Sequence, residues 1–173
     1  MNEHYANLEL LMAGLTDINS FLDAGSGRTS MGYLTSKFPN LQIDAIVFPG
    51  DERKINSIKE NVTGKYNLIE MDICQNKITK SYDLVMAHLL LGEANKFGNK
   101  VSDLLEKILA IDSKYIVIYD VKEDTAIDYE ALVTTINSKN RQIIRFQTFP
   151  KQEPQEFNNF VAYNYVGYLI KNK

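Results

Sequence analysis

The residues of this chain best suited to binding chemistry run Phe21-Leu22-Asp23-Ala24-Gly25-Ser26-Gly27-Arg28-Thr29-Ser30. An apolar strand end meets a carboxylate, then a turn with two glycines. Lacking a Cβ, Gly25 and Gly27 let the backbone turn sharply and approach a ligand closely. A helix opening after Gly27 leaves its first amides free to donate. Asp23 narrows the choice of ligand, because a carboxylate at the strand end repels a pyrophosphate and attracts a group carrying an ammonium. Dinucleotide sites place a glycine or alanine three residues after the second glycine, and here that position is Ser30. No Gly-Lys-Ser/Thr follows, which excludes the triphosphate-binding loop.

Further along, Asp72 follows the apolar run Asn67-Leu68-Ile69-Glu70-Met71, and His88 ends the run Ser81-Tyr82-Asp83-Leu84-Val85-Met86-Ala87. His88 titrates near neutrality when unperturbed, and with Glu93 five residues on it could form an acid/base pair that takes a proton from a substrate nucleophile. The alternatives are that His88 closes its strand or packs against Tyr82, and that Glu93 is a solvated loop residue. The chain's one cysteine, Cys74, excludes an internal disulfide and a cysteine-based metal cluster. Nothing beside it in sequence would lower its pKa, so it reads as a partly buried structural thiol. No metal site is expected.

The elements that must position these groups alternate. Leu8, Leu11, Met12 and Leu15 at helical spacing predict an N-terminal helix over about 4–19. Strands are expected at about 20–24, 41–48, 67–71, 82–87 and 114–120, with helices over about 28–38, 51–62 and 127–138 and another carrying Val101, Leu104, Leu105, Ile108 and Leu109 on one face. Pro39 stops the second helix and Gly64 follows the third. Helices between the first five strands imply a parallel sheet covered on both faces. Gln142–Thr148 and Phe160–Ile170 have no helix between them and read as an antiparallel pair at one edge, joined by a loop marked by Pro150 and Pro154. In open α/β sheets a ligand binds beyond the carboxyl ends of the strands where their order reverses, and Asp23, Val47, Asp72 and His88 all fall at such ends.

In this order and spacing the chain resembles the class I S-adenosylmethionine-dependent methyltransferases over roughly residues 20–170. The resemblance implies a three-layer Rossmann-like α/β sandwich, with a mostly parallel seven-stranded sheet, an antiparallel edge hairpin and helices on both faces. It also implies that Asp23, Gly25, Ser26 and Gly27 hold the methionine part of the cofactor, and that Asp72 contacts the adenine amino group with Ile73 beside the ring. Ser81 to His88 would lead to the substrate, with His88 near the cofactor too, and Lys114-Tyr115-Ile116-Val117-Ile118-Tyr119-Asp120 would be the fifth strand. One position departs. The family ends its second strand with an acid that holds both ribose hydroxyls, and Val47 stands there. Valine accepts no hydrogen bond, and leaving that contact unmade costs on the order of 1–3 kcal/mol, or roughly ten- to a hundredfold in affinity. Asp51, past Phe48-Pro49-Gly50, is the nearest replacement, and with Phe48 completes the expected cofactor set. Asp51 also has the position of a helix N-cap, and the two roles are compatible.

With 173 residues, 45% hydrophobic and 24% charged, the chain is expected to form one methyltransferase-like domain over 1–173. A net charge of −3 gives no clear nucleic-acid surface. With no basic-then-apolar leader and no apolar run of about 18 residues, no membrane partner and a cytoplasmic location are expected. The strand-four run lacks the Asn/Asp-Pro-Pro-aromatic signature of enzymes that methylate base amines, which weighs against adenine or cytosine methylation, and a small-molecule acceptor is expected. His4, Tyr5, Lys96, Phe97 and Phe157 are candidates for lining the acceptor's face, with the Leu89–Asn99 and Pro150–Asn159 segments. The function implied is S-adenosylmethionine-dependent methyl transfer, with S-adenosylhomocysteine as product. The alternative is a degenerate member that binds a ligand or partner without transfer. A nicotinamide-dependent oxidoreductase is disfavoured by Ser30, by Val47 and by the charge of Asp23.

Overall fold

The computed structural model describes residues 3–151 and 163–173. The chain begins with α1 (Glu3–Leu11) and then alternates through β1 (Phe21–Asp23), α2 (Arg28–Lys37), β2 (Ile43–Val47), α3 (Glu52–Asn61), β3 (Tyr66–Glu70) and β4 (Tyr82–His88). A 3₁₀ segment, Leu91–Phe97, leads to α4 (Val101–Leu109), β5 (Ser113–Val121), α5 (Tyr129–Ser138), β6 (Arg141–Phe149) and β7 (Tyr165–Asn172). The strands form one sheet in the order β3-β2-β1-β4-β5-β7-β6. Pairings from β3 to β5 are parallel, and β7 runs antiparallel to both β5 and β6. The edge hairpin is therefore present, with β6 outermost and β7 inserted beside β5. The order reverses between β1 and β4, and that crevice is where an open α/β sheet receives a ligand.

The strands are buried on both faces because consecutive residues feed two cores. Leu22, Ile46, Val85 and Ile118 pack against Leu104, Ile108, Leu132 and Ile136, which places α4 and α5 on one side. Phe21, Ala45, Met86 and Val117 pack against Leu8, Met31, Leu34 and Ile58, which places α1, α2 and α3 on the other. Three layers result, as the resemblance implied.

Most boundaries fall within one or two residues of those read from sequence, and two differences have physical causes. The N-terminal helix ends at Leu11, not near residue 19, because Gly14 takes a left-handed conformation (φ 86°) and the Leu15 N–H turns back to Met12 O at 3.2 Å. The segment after β4, expected as a loop, contains a 3₁₀ helix. The buried Asp120 carboxylate at the end of β5 accepts from the amides of Leu91 (3.0 Å) and Gly92 (3.3 Å) and so clamps that segment to the sheet. The last strand, expected from Phe160, begins at Tyr165, with 163 and 164 outside it; 160–162 lie outside the described residues, as do Phe157 and most of the Pro150–Asn159 loop.

Candidate functional site

At the carboxyl ends of β1 and β2 lies a narrow slot of about 40 Å³. Gly25 and Ser26 form one end. Asp72, Ile73 and Asn99 form the other, and the apolar walls include Ile46, Val47, Met71 and Leu104. Phe48 and Phe97 stack across it with ring centres 4.2 Å apart, and Lys54 at the start of α3 bridges to Glu93 at 3.1 Å. Of the residues singled out from sequence, Gly25, Ser26, Val47, Phe48, Asp72, Ile73, Glu93 and Phe97 line this slot.

Asp72 is oriented by its own loop and by the residue that follows the 3₁₀ segment and Gly98. Its Oδ1 accepts from the Cys74 amide at 2.9 Å and from Asn99 Nδ2 at 3.2 Å. Cys74 is half-buried, and burial raises its thiol pKa, with the Asp72 charge adding to that. Gly25 is needed for close packing, since a Cβ there would run into the Leu90 side chain. Leu90 thus fills the space that a ligand over this glycine would use. It follows Leu89, whose φ of 51° is left-handed backbone that a branched residue rarely adopts.

Asp23 lies beneath the turn and not on the slot wall. It is fully buried, and its Oδ2 accepts from the Ser30 hydroxyl at 2.5 Å, while Ser30 Oγ accepts from the Gly27 amide at 3.3 Å. Ser30, a departure from the dinucleotide pattern in sequence, therefore ties the glycine turn to the strand. Ser26 adds a second tie, donating its hydroxyl to Asp23 O at 2.9 Å. Asp23 Oδ1 has no hydrogen-bond partner among the described residues, and burial raises the carboxyl pKa to about 6 despite the bonds from Ser30 and Ser26.

Asp51 caps α3, its Oδ1 accepting from the Lys54 amide at 3.1 Å, and it faces a neighbouring groove, not the slot. Gly27 lines that same groove. Asp44 serves the strand interior, accepting from Lys80 Nζ and Tyr82 OH, each at 2.7 Å.

The structure separates His88 from Glu93. His88 is buried on the α1 side of the sheet, stacked on Tyr119 at 5.1 Å with His4 edge-on at the same distance, and it lines no part of the slot. Burial, reinforced by His4, lowers its pKa to about 3, so the ring is neutral throughout the physiological range. For Glu93 burial raises the pKa, but Lys54 and Lys96 outweigh it and hold the carboxyl below its usual range. Of the other face candidates, Tyr5 stacks edge-on against Tyr33, and its hydroxyl approaches Gly32.

Lys54, Met71 and Leu104 line the slot without having been singled out as site residues from sequence, and Leu90 does so from within the Leu89–Asn99 segment expected at the acceptor's face. Lys54 carried a readable signal, because it is the third residue after the α3 cap and must lie at the mouth of the β2 crevice. The others are ordinary apolar residues whose place follows from packing.

No protein-family model matches the chain, and no curated protein matches it. Solved structures do. An rRNA methylase from Escherichia coli superposes with a TM-score of 0.66 at 12% identity over 99% of this chain, which spans 64% of that protein's length. A putative RNA methyltransferase from Pyrococcus horikoshii gives 0.71 at 15% identity, covering 98% of this chain and 84% of its own. The N-methyltransferase NodS from Bradyrhizobium japonicum WM9, in complex with S-adenosylhomocysteine, gives 0.66 at 13%, covering 98% and 86%. The fold is that of the class I methyltransferases.

For S-adenosylmethionine, the group this fold implies, the slot's donor set fits the adenine end. Asp72 offers a carboxylate to an exocyclic amine between apolar walls. At the end of β2 Val47 offers no acceptor; its strand partner Glu70 accepts from the Gly50 amide at 3.3 Å, Asp51 caps α3 and Glu93 pairs with two lysines. No helix among the described residues is long and apolar enough to cross a membrane, and no group of metal-ligating side chains occurs among them.

Proposed function

We propose that the chain is an S-adenosylmethionine-dependent methyltransferase acting on a small-molecule acceptor. The observation that carries this reading is the slot itself, at the sheet's switch point, bounded by the Gly25-Ser26 turn at one end and by Asp72 and Ile73 at the other. S-adenosylmethionine supplies a methyl group on a sulfonium, which is electrophilic without further activation. The chain's part is to bind, align and exclude water, and alignment of this kind provides a large share of the acceleration in a displacement.

Asp72 would accept from the adenine amine, with Ile73 and Met71 against the ring. The turn at Gly25 to Gly27 would present its backbone to the methionine part. Asp23 would act on the ammonium electrostatically from below the turn, where burial strengthens the interaction. Leu90 and Phe97 must swing aside, since 40 Å³ holds about one water molecule and no nucleoside. Glu93, on the slot wall, is paired with Lys54 and Lys96 and would take a proton from a substrate only on leaving them. His88, neutral and enclosed, acts only through packing.

Titration calorimetry with S-adenosylmethionine, S-adenosylhomocysteine and NAD in parallel tests the reading. Binding of the first two alone supports it. Binding of neither would leave the shared fold and favour a member that has lost transfer. Tight NAD binding would transfer the slot to oxidoreductase chemistry.

A further inference from the structure

Beside the slot, and sharing Lys54, Glu93 and Phe97 with it, runs an open groove of about 390 Å³ lined also by Arg28, Arg53 and Lys96. We infer that this groove is an anion subsite for a phosphate carried on the ribose of an adenine nucleotide, a ligand class distinct from S-adenosylmethionine. The inference rests on the proposed function only in taking the slot to hold an adenine nucleoside.

Two independent observations point the same way. First, Val47 removes the acceptor that a ribose diol requires at the end of β2, and the carboxylates around it already serve other groups: Glu70 Oε2 accepts from the Gly50 amide (3.3 Å), Asp51 Oδ1 from the Lys54 amide, and Glu93 pairs with Lys54 (3.1 Å) and Lys96 (3.3 Å). Second, the groove carries two cations with no partner of their own. Arg28 and Arg53 have no hydrogen-bond or ion-pair partner among the described residues, and neither guanidinium can accept a bond. Two unpartnered guanidinium groups in one groove complement a ligand group that accepts hydrogen bonds and carries negative charge, which describes a phosphate better than a neutral hydroxyl pair. Arginine's planar fork suits it further, by bidentate contact. The same logic operates in dinucleotide folds, where an arginine near the end of the second strand accommodates a ribose phosphate in place of the acid that binds free hydroxyls. Four cations against two carboxylates in one groove, on a chain of net charge −3, mark it as locally opposite to the rest of the protein.

The test is calorimetry on the full chain with adenosine, adenosine 2′,5′-bisphosphate, adenosine 3′,5′-bisphosphate, S-adenosylhomocysteine and inorganic phosphate. The wild type is compared with the exposed-site double variant Arg28→Gln/Arg53→Gln, whose folding is checked by thermal melting. At low salt, at least one bisphosphate should bind about tenfold or more tighter than adenosine, and the advantage should shrink as salt rises. The double variant should lose that advantage while its affinity for S-adenosylhomocysteine is unchanged. Bisphosphates no tighter than adenosine, with S-adenosylhomocysteine still bound, would overturn the subsite and leave the methyltransferase reading in place. Inorganic phosphate binding as tightly as the bisphosphates would overturn the link to a nucleotide. Failure of every adenine compound to bind would remove the adenine slot and both proposals with it.

Discussion

Replacing Asp23 with asparagine isolates the electrostatics of the glycine turn. Asp23 is fully buried, and its folded pKa is about 6 against an ordinary 3.8, chiefly through desolvation. The protonated form is favoured by folding. Its contribution to stability is therefore fully present below about pH 4 and is lost as the pH rises through about 6. Each pKa unit is about 1.4 kcal/mol, so roughly two units correspond to about 3 kcal/mol. Asparagine keeps an acceptor for the Ser30 hydroxyl and has no proton to lose. Its extra buried N–H donors carry a penalty of about 1–3 kcal/mol that does not depend on pH. The quantity to read is thus the difference between variant and wild type, measured by urea unfolding at pH 4 and at pH 7.5. It should move in favour of the variant by about 3 kcal/mol over that interval. The subtraction is needed because other groups titrate as well. Asp120 is also raised to about 6 by burial, and His88, lowered to about 3, acts oppositely by losing its stabilising contribution as the pH falls below about 6.5. A difference that stays constant between the two pH values would refute the desolvated carboxyl and the account of the turn built on it.

Asp51→Ala removes the α3 cap and should lower stability by about 1 kcal/mol, while calorimetry shows nucleoside affinity unchanged; a fall in affinity beyond the loss of stability would assign Asp51 to the ribose. Asp72→Ala should weaken S-adenosylhomocysteine about tenfold in the same titration, and equal binding would detach Asp72 from the adenine end. Gly25→Ala should destabilise the fold by about 1–3 kcal/mol, read from denaturant midpoints, because its Cβ meets Leu90. Arg141 is buried and donates to the carbonyls of Ser113, Ile111 and Leu109, so Arg141→Met should cost about 2–5 kcal/mol through orphaned acceptors, measured by thermal and urea unfolding; a change under about 0.5 kcal/mol would show that water replaces it.

The sequence by itself determined the alternation of strands and helices, because apolar runs bounded by Pro39, Gly64 and the Asp51 cap are local signals that tertiary context did not override. It also determined where the slot's ends lie: Gly25, Ser26, Asp72 and Ile73 each follow the carboxyl end of a strand, and a parallel sheet brings those ends together whatever else happens. What the side chains do there was decided only by packing. Asp23 turns under the loop toward Ser30, and His88 turns away into the α1 side against Tyr119, because a strand sends successive side chains to opposite faces and the sequence does not say which face holds the ligand. The helix stripe ending in Leu15 was misleading for the same reason, since Leu15 packs on the same core from a turn that Gly14 creates. The meeting of Lys54 with Glu93, 39 positions apart, and the gathering of Arg28, Arg53 and Lys96 around one groove are properties of the assembled sheet. No periodicity or short motif encodes them, because their separation is set by how the helices after β1 and β2 and the segment after β4 come together over the sheet's edge.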